Sequence, residues 1–209
     1  AVRLGRGADE DDEPGFDPAA IALLGALPND YLRYFYETAA MLRYQETHPT
    51  RASQVMDIER RLLARYEDAA LVTKPPELME RGGAYYSESA AALMADIHAD
   101  AGTVHIVNTR NDGALPNLPD DVVIETPAVI TRAGARSLPT DELRPDLDAL
   151  VRTVKDYELL TIRAALEGDR DLALLALATN PLGPTLAQAP AVWDRIRRDN
   201  EGLLGALDG

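Results

Sequence analysis

The sequence predicts a helix-rich α+β domain with one small mixed or antiparallel sheet. Three observations carry that expectation. Long stretches with apolar residues at helical spacing lie on both sides of a central segment, residues 103–138, and that segment alone has short β-branched runs. The regular strand–helix alternation of a doubly wound sheet is missing. At 209 residues, with 46% hydrophobic and 27% charged side chains, the chain is long enough to bury a core without disulfides, and it has no cysteine to form them.

Residues 1–16 are expected to be a leading strand and a mobile acidic loop, because Asp9-Glu10-Asp11-Asp12-Glu13 puts five acids in a row before Pro14-Gly15. A single domain is expected over 17–209. Asp17-Pro18 supplies an N-cap and first position for a short helix through Ile21, Leu23 and Leu24. Pro28 breaks it, and Asn29 or Asp30 caps a helix expected from Tyr31 to about Gln45. Its broad apolar surface, with Tyr34, Met41 and Tyr44 on one side and Leu32, Phe35 and Ala39 beside them, suggests contact on more than one side. Thr50 caps a helix over 51–69 whose Val55, Ile58, Leu62 and Tyr66 keep the spacing. Lys74-Pro75-Pro76 ends that unit, and Glu77–Glu80 is read as one turn. Arg81-Gly82-Gly83-Ala84-Tyr85-Tyr86 is read as a tight turn entering a helix from about Ser87 to Asp100.

A strand over 103–107 leads into the polar loop Asn108-Thr109-Arg110-Asn111-Asp112-Gly113. Two short strands, 122–126 and 129–131, are expected with an edge or bend at Pro127, then a hairpin into a strand near Ser137-Leu138. Pro145 starts a long helix that ends at Gly168, and Asp169 or Asp171 caps the next. Asn180-Pro181-Leu182-Gly183-Pro184 stops that helix, and a last one begins near Pro190.

Charge and motifs exclude several functions. Lys+Arg of 21 against Asp+Glu of 35 gives a net charge of −14, which repels polyanions, so no nucleic-acid partner is expected. No window approaches the roughly 18 apolar residues of a membrane span, so no membrane partner is expected and a cytoplasmic location is. Neither G-x-G-x-x-G nor a Walker A motif occurs, which argues against a nucleotide site held wholly by this chain. His48, His98 and His105 lack metal-ligand spacing and read as structural or exposed.

Two segments are left as candidates for chemistry. In Arg81–Ser87 the glycines allow close backbone approach, and a tyrosine at a helix entrance can act as a base if a cation or the helix terminus stabilises its phenolate. Unassisted, a tyrosine ionises only near pH ~10. Tyr85 reads as a core ring. In Asn108–Gly113, Arg110 brings a five-donor fork suited to phosphate or carboxylate oxygens, whereas Asp112-Gly113 is explained by turn geometry.

These segments, in order with Leu27–Tyr36, Lys74-Pro75, Asn117-Leu118-Pro119-Asp120, Val123–Pro127, Tyr157–Thr161 and Asn180–Pro184, resemble the C-terminal part of glycoside hydrolase family 4, on the 6-phospho-β-glucosidase side. The resemblance implies a lactate/malate-dehydrogenase-like C-terminal domain, joined in the family to an N-terminal Rossmann domain. It implies NAD and a divalent metal, typically manganese, and a redox-elimination route. Hydride leaves C3, a base takes the C2 proton, the glycosidic oxygen departs, water adds and the hydride returns. Carried over residue by residue, the tyrosine before the serine, Tyr86, is the catalytic base. Asn108, Arg110 and Asn111 fall in the loop that faces the phosphorylated sugar or glycoside.

The family's nucleotide glycines and its metal-binding cysteine and histidine belong to the upstream half, so no cofactor-binding or metal-binding residue is assigned here. Asp112 stands where the family often has asparagine. The chain is thus expected to be a C-terminal domain lacking its Rossmann partner, bound to neither NAD nor metal and inactive alone, in a homodimer or higher oligomer. A second reading is a sugar-phosphate-binding or assembly module that keeps the fold without catalysis. Under the first reading, Tyr86 and Arg110 are expected to open onto one concavity.

Overall fold

The computed structural model describes residues 14–81 and 86–208. The expected leading strand and acidic run, and the Gly82–Tyr85 part of the glycine segment, lie outside the described residues. The chain divides into two compact units, 1–95 and 96–209, where one domain is expected over 17–209.

In the first unit, α1 (Pro18–Leu24) is capped as its sequence requires: Asp17 accepts from the Ala19 N–H and Pro18 takes the first position. The helix expected over 31–45 is broken. A 3-10 turn (Asp30–Leu32), α2 (Arg33–Tyr36) and α3 (Thr38–Thr47) follow one another, with Glu37 at φ −116° between the last two. Thr38 lies at this break, its hydroxyl donating to the carbonyls of Tyr34 and Phe35 at 2.7 and 2.9 Å. Helix α4 (Arg51–Tyr66) starts at Thr50, whose hydroxyl accepts from Ser53 N–H, and buries Ile58 and Leu62. Helix α5 (Glu77–Arg81) lies along α4 through three ion pairs, Arg65–Glu77, Arg61–Glu80 and Arg81–Glu59, at 2.8, 3.0 and 3.3 Å. Helix α6 (Tyr86–Ala99) begins one residue earlier than expected and crosses from the first unit into the second.

The second unit holds an antiparallel sheet of order β1-β2-β3 (Thr103–Arg110, Val123–Thr131, Gly134–Ser137). Two expectations are corrected here. First, Asn108, Thr109 and Arg110 belong to β1, because the ladder runs on to Arg110 opposite Val123. Second, β2 is one continuous central strand through Pro127, where an edge or bend is expected. Pro127 is tolerated because its carbonyl accepts from Leu138 N–H. In an antiparallel strand the N–H points the same way as the C=O, so the donor proline lacks falls beyond the last β3 pair, Ala128–Ser137.

Helices α7 (Pro145–Glu167), α8 (Arg170–Thr179) and α9 (Ala189–Asp199) pack around Ala164, Ala173 and Trp193, with Leu172, Leu177, Ile196 and Leu204 against them. Gly183 is obligatory there, since a Cβ would lie 1.9 Å from the Leu177 carbonyl oxygen. Among the described residues no helix is long and apolar enough to cross a membrane.

Candidate functional site

Tyr86 is the first residue of α6 and is 79% exposed, so its ring is not spent in a core. Two residues on, the Glu88 carboxyl is held below its ordinary value, first by its own backbone N–H and then by the Ser87 hydroxyl, which donates to it at 2.9 Å. On the N-terminal side, α5 ends at Arg81 and is tied to α4 by the three ion pairs, which anchors the start of the glycine segment.

The second candidate group stands at the end of β1 in the other unit. Strand alternation puts Asn108 and Arg110 on one exposed face with Val104 and Ile106, while His105, Val107 and Thr109 turn to the half-buried side. Arg110 is fixed from three directions. Its carbonyl accepts from the Ser137 hydroxyl at 3.1 Å, its Nε donates to the Asp120 carbonyl at 3.3 Å, and the same Nε forms an ion pair with the Asp112 carboxylate at 2.8 Å.

Asn111, expected in the sugar-facing loop, turns into that loop. It is 0% exposed, and its amide is used within the loop: Nδ2 donates to the carbonyls of Leu115, Leu118 and Pro119 at 3.0–3.1 Å, and Oδ1 accepts from Leu115 N–H at 2.7 Å. A buried amide engaged in this way holds the loop in shape. The structure therefore brings Asn108 and Arg110 together on one face, sends Asn111 inside, and places Tyr86 on a helix start in the first unit.

Two side-chain contacts escape the sequence reading. Asp112, read as turn geometry alone, also grips Arg110, and the signal for this was an acid two residues from the arginine. His105 is held by Asp96, which accepts from Nε2 at 2.7 Å and from the Thr103 hydroxyl at 2.6 Å. The Thr103 hydroxyl first, and His105 second, hold the Asp96 carboxyl below its ordinary value. Among the described residues no three His, Cys, Asp or Glu side chains gather closely enough to hold a metal ion, so no chemical step is routed through one here.

A helix-rich unit followed by a three-stranded antiparallel sheet defines an α+β architecture. This chain belongs to family 4 of the glycosyl hydrolases: residues 12–183 match the Family 4 glycosyl hydrolase C-terminal domain. It is 35% identical over 193 residues to a probable 6-phospho-β-glucosidase of Bacillus subtilis, covering 90% of this chain and 44% of that protein. It is 40% identical over 172 residues to the 6-phospho-β-glucosidase BglT of Thermotoga maritima, covering 82% of this chain and 41% of that one. The structure of the Thermotoga maritima 6-phospho-β-glucosidase with manganese, NAD+ and glucose 6-phosphate superposes with a TM-score of 0.82 at 39% identity, over 90% of this chain and 45% of that chain. The chain thus spans less than half the length of these relatives, and the fold expected from the family resemblance is the one found.

Proposed function

We propose that residues 1–209 form the substrate-facing part of a 6-phospho-β-glucosidase-like enzyme that works by redox elimination. In this reading Tyr86 takes the proton from the sugar carbon beside a carbonyl, and Arg110 with Asn108 holds the phosphorylated sugar. Asn111 keeps the loop beneath them in shape. The single observation that carries the reading is the exposure of Tyr86 at the start of a 14-residue helix, where its phenol is open to a substrate. A carbonyl next to the carbon lets the developing negative charge delocalise, so one correctly placed base suffices and no carboxylate pair is needed.

NAD and a divalent metal are assigned to the complete protein, held by residues outside 1–209, and the isolated chain is assigned no glycosidase activity. Relatives of about twice this length support that division. The exposed Tyr31, Phe35 and Leu42 support a homodimer or higher oligomer. The net charge of −14 supports a partner list without nucleic acid, and a cytoplasmic location suits a phosphorylated substrate.

In the complete protein, Tyr86→Phe is expected to lower kcat about 10²- to 10⁴-fold with little change in KM. Unchanged kcat would remove Tyr86 as the base, whereas a complete protein that binds the sugar phosphate without turning over a 6-phosphoglycoside would leave only the module reading, in which the fold is kept and catalysis is not. Steady aglycone release from a 6-phosphoglycoside by the purified 1–209 chain, with NAD and manganese present, would overturn the assignment of inactivity.

A further inference from the structure

We propose that Asp112 is a positioning residue for Arg110. By holding Nε, it leaves the outer Nη1–Nη2 edge of the guanidinium as the one that meets the phosphate of the substrate. The inference rests on the reading of Arg110 as the sugar-phosphate anchor.

A guanidinium has two edges that can receive an oxyanion in a two-point fashion, the side edge formed by Nε with one Nη and the end edge formed by both Nη atoms. In this protein two oxygens lie against Nε, Asp112 Oδ1 in an ion pair at 2.8 Å and the Asp120 carbonyl, to which Nε donates, at 3.3 Å, so the side edge is occupied. The four N–H bonds of the end edge match two phosphate oxygens.

Both acceptors sit on a fixed support. Asp112 N–H donates to the same Asp120 carbonyl at 2.9 Å, and Asn111 N–H donates to the Val122 carbonyl at 2.8 Å. Beneath them the buried Asn111 amide holds Leu115, Leu118 and Pro119. Asp112 adopts φ +46°, a left-handed conformation that Asp, Asn and Gly tolerate and that most side chains avoid. With the Arg110 main chain pinned by Ser137, only the side-chain torsions remain free, and Asp112 restrains those.

Orientation and charge act in opposite directions here, which makes the proposal decidable. Removing a carboxylate beside the fork relieves repulsion of a phosphate dianion, and that alone would tighten binding. Removing the grip on Nε makes the dianion pay for ordering a long side chain. Arg110 and Asp112 side chains are 62% and 66% exposed, so solvent screens the charge effect and the ordering effect is expected to win.

The test titrates glucose 6-phosphate into the complete protein and its variants by calorimetry. Asp112→Gly, which keeps the left-handed backbone and drops the carboxylate, is expected to weaken binding about three- to tenfold. Asp112→Asn, which keeps an acceptor for Nε without the charge, is expected to bind within about twofold of the parent or tighter. In an Arg110→Ala background, itself expected to bind at least about tenfold more weakly, Asp112→Gly should have no further effect. The inference is overturned if Asp112→Gly binds as tightly as the parent or tighter, or if its effect persists without Arg110, while Arg110→Ala is impaired. A silent Arg110→Ala would instead overturn the anchor reading itself.

Discussion

The loop after β1 follows one candidate side chain, Arg110, and the α4–α5 pair precedes another, Tyr86, yet they are held by different physics. Around Asn111 the bonds are neutral and buried or part-buried, and all four run to main-chain atoms. Between α4 and α5 the bonds are ionic, and in two of the three pairs both partners are about half exposed. In the third, Arg65–Glu77, the glutamate side chain is only 9% exposed. Buried amide networks respond weakly to salt and pH and fail abruptly when a member is lost. Exposed ion pairs yield gradually to both. The Arg110 platform is thus the rigid half, and the approach to Tyr86 is the half that the solution can tune.

That contrast breaks first if Asn111→Ala is mild. The substitution takes this partner from the Leu118 and Pro119 carbonyls and the Leu115 N–H, while the Leu115 carbonyl keeps the Leu118 N–H; at about 1–3 kcal/mol for each group left without a partner, a loss of about 3 kcal/mol or more is expected. Urea unfolding followed through Trp193, the single tryptophan and a core residue of the same unit, reads it directly.

Next in size comes Arg65→Ala. It leaves the Glu77 carboxylate nearly buried, with Oε2 already unpartnered among the described residues. About 1–2 kcal/mol is expected, below the cost for a fully buried pair because Arg65 itself is half exposed. Arg61→Ala, at an exposed pair, should cost no more than about 0.5 kcal/mol. Equal losses in thermal unfolding would remove the distinction drawn for Glu77.

A subtler contrast concerns acid. The Asp96 carboxyl is lowered in the folded state, so its stabilising effect is present above the ordinary carboxylate value and is lost as pH falls through the lowered one. Asp96→Asn should therefore be less stable than the parent near neutrality, with the gap closing below pH ~4. A gap that persists there would mean the bonds to Thr103 and His105 do not depend on the charge.

Local chemistry in the sequence was enough to place many helix ends. Asp17-Pro18, Thr50, Asp169 and Gly168 terminate helices where their side chains or backbone require it. What could not be read were choices made by partners distant in sequence. The continuity of β2 through Pro127 depends on where β3 stops, and nothing around Pro127 announces that. The inward turn of Asn111 comes one residue after the strand alternation ends, so periodicity had no hold on it. For the candidate site, the ordered motifs led to Tyr86, Asn108 and Arg110, whereas the grip of Asp112 on Arg110 needed coordinates.

The most direct test of the whole account is a crystal structure of the complete protein with glucose 6-phosphate bound. The account predicts phosphate oxygens on Arg110 Nη1 and Nη2, with Tyr86 Oη facing C2 of the same sugar. A sugar phosphate bound away from Arg110, or Tyr86 opening onto a surface that the sugar does not touch, would contradict it.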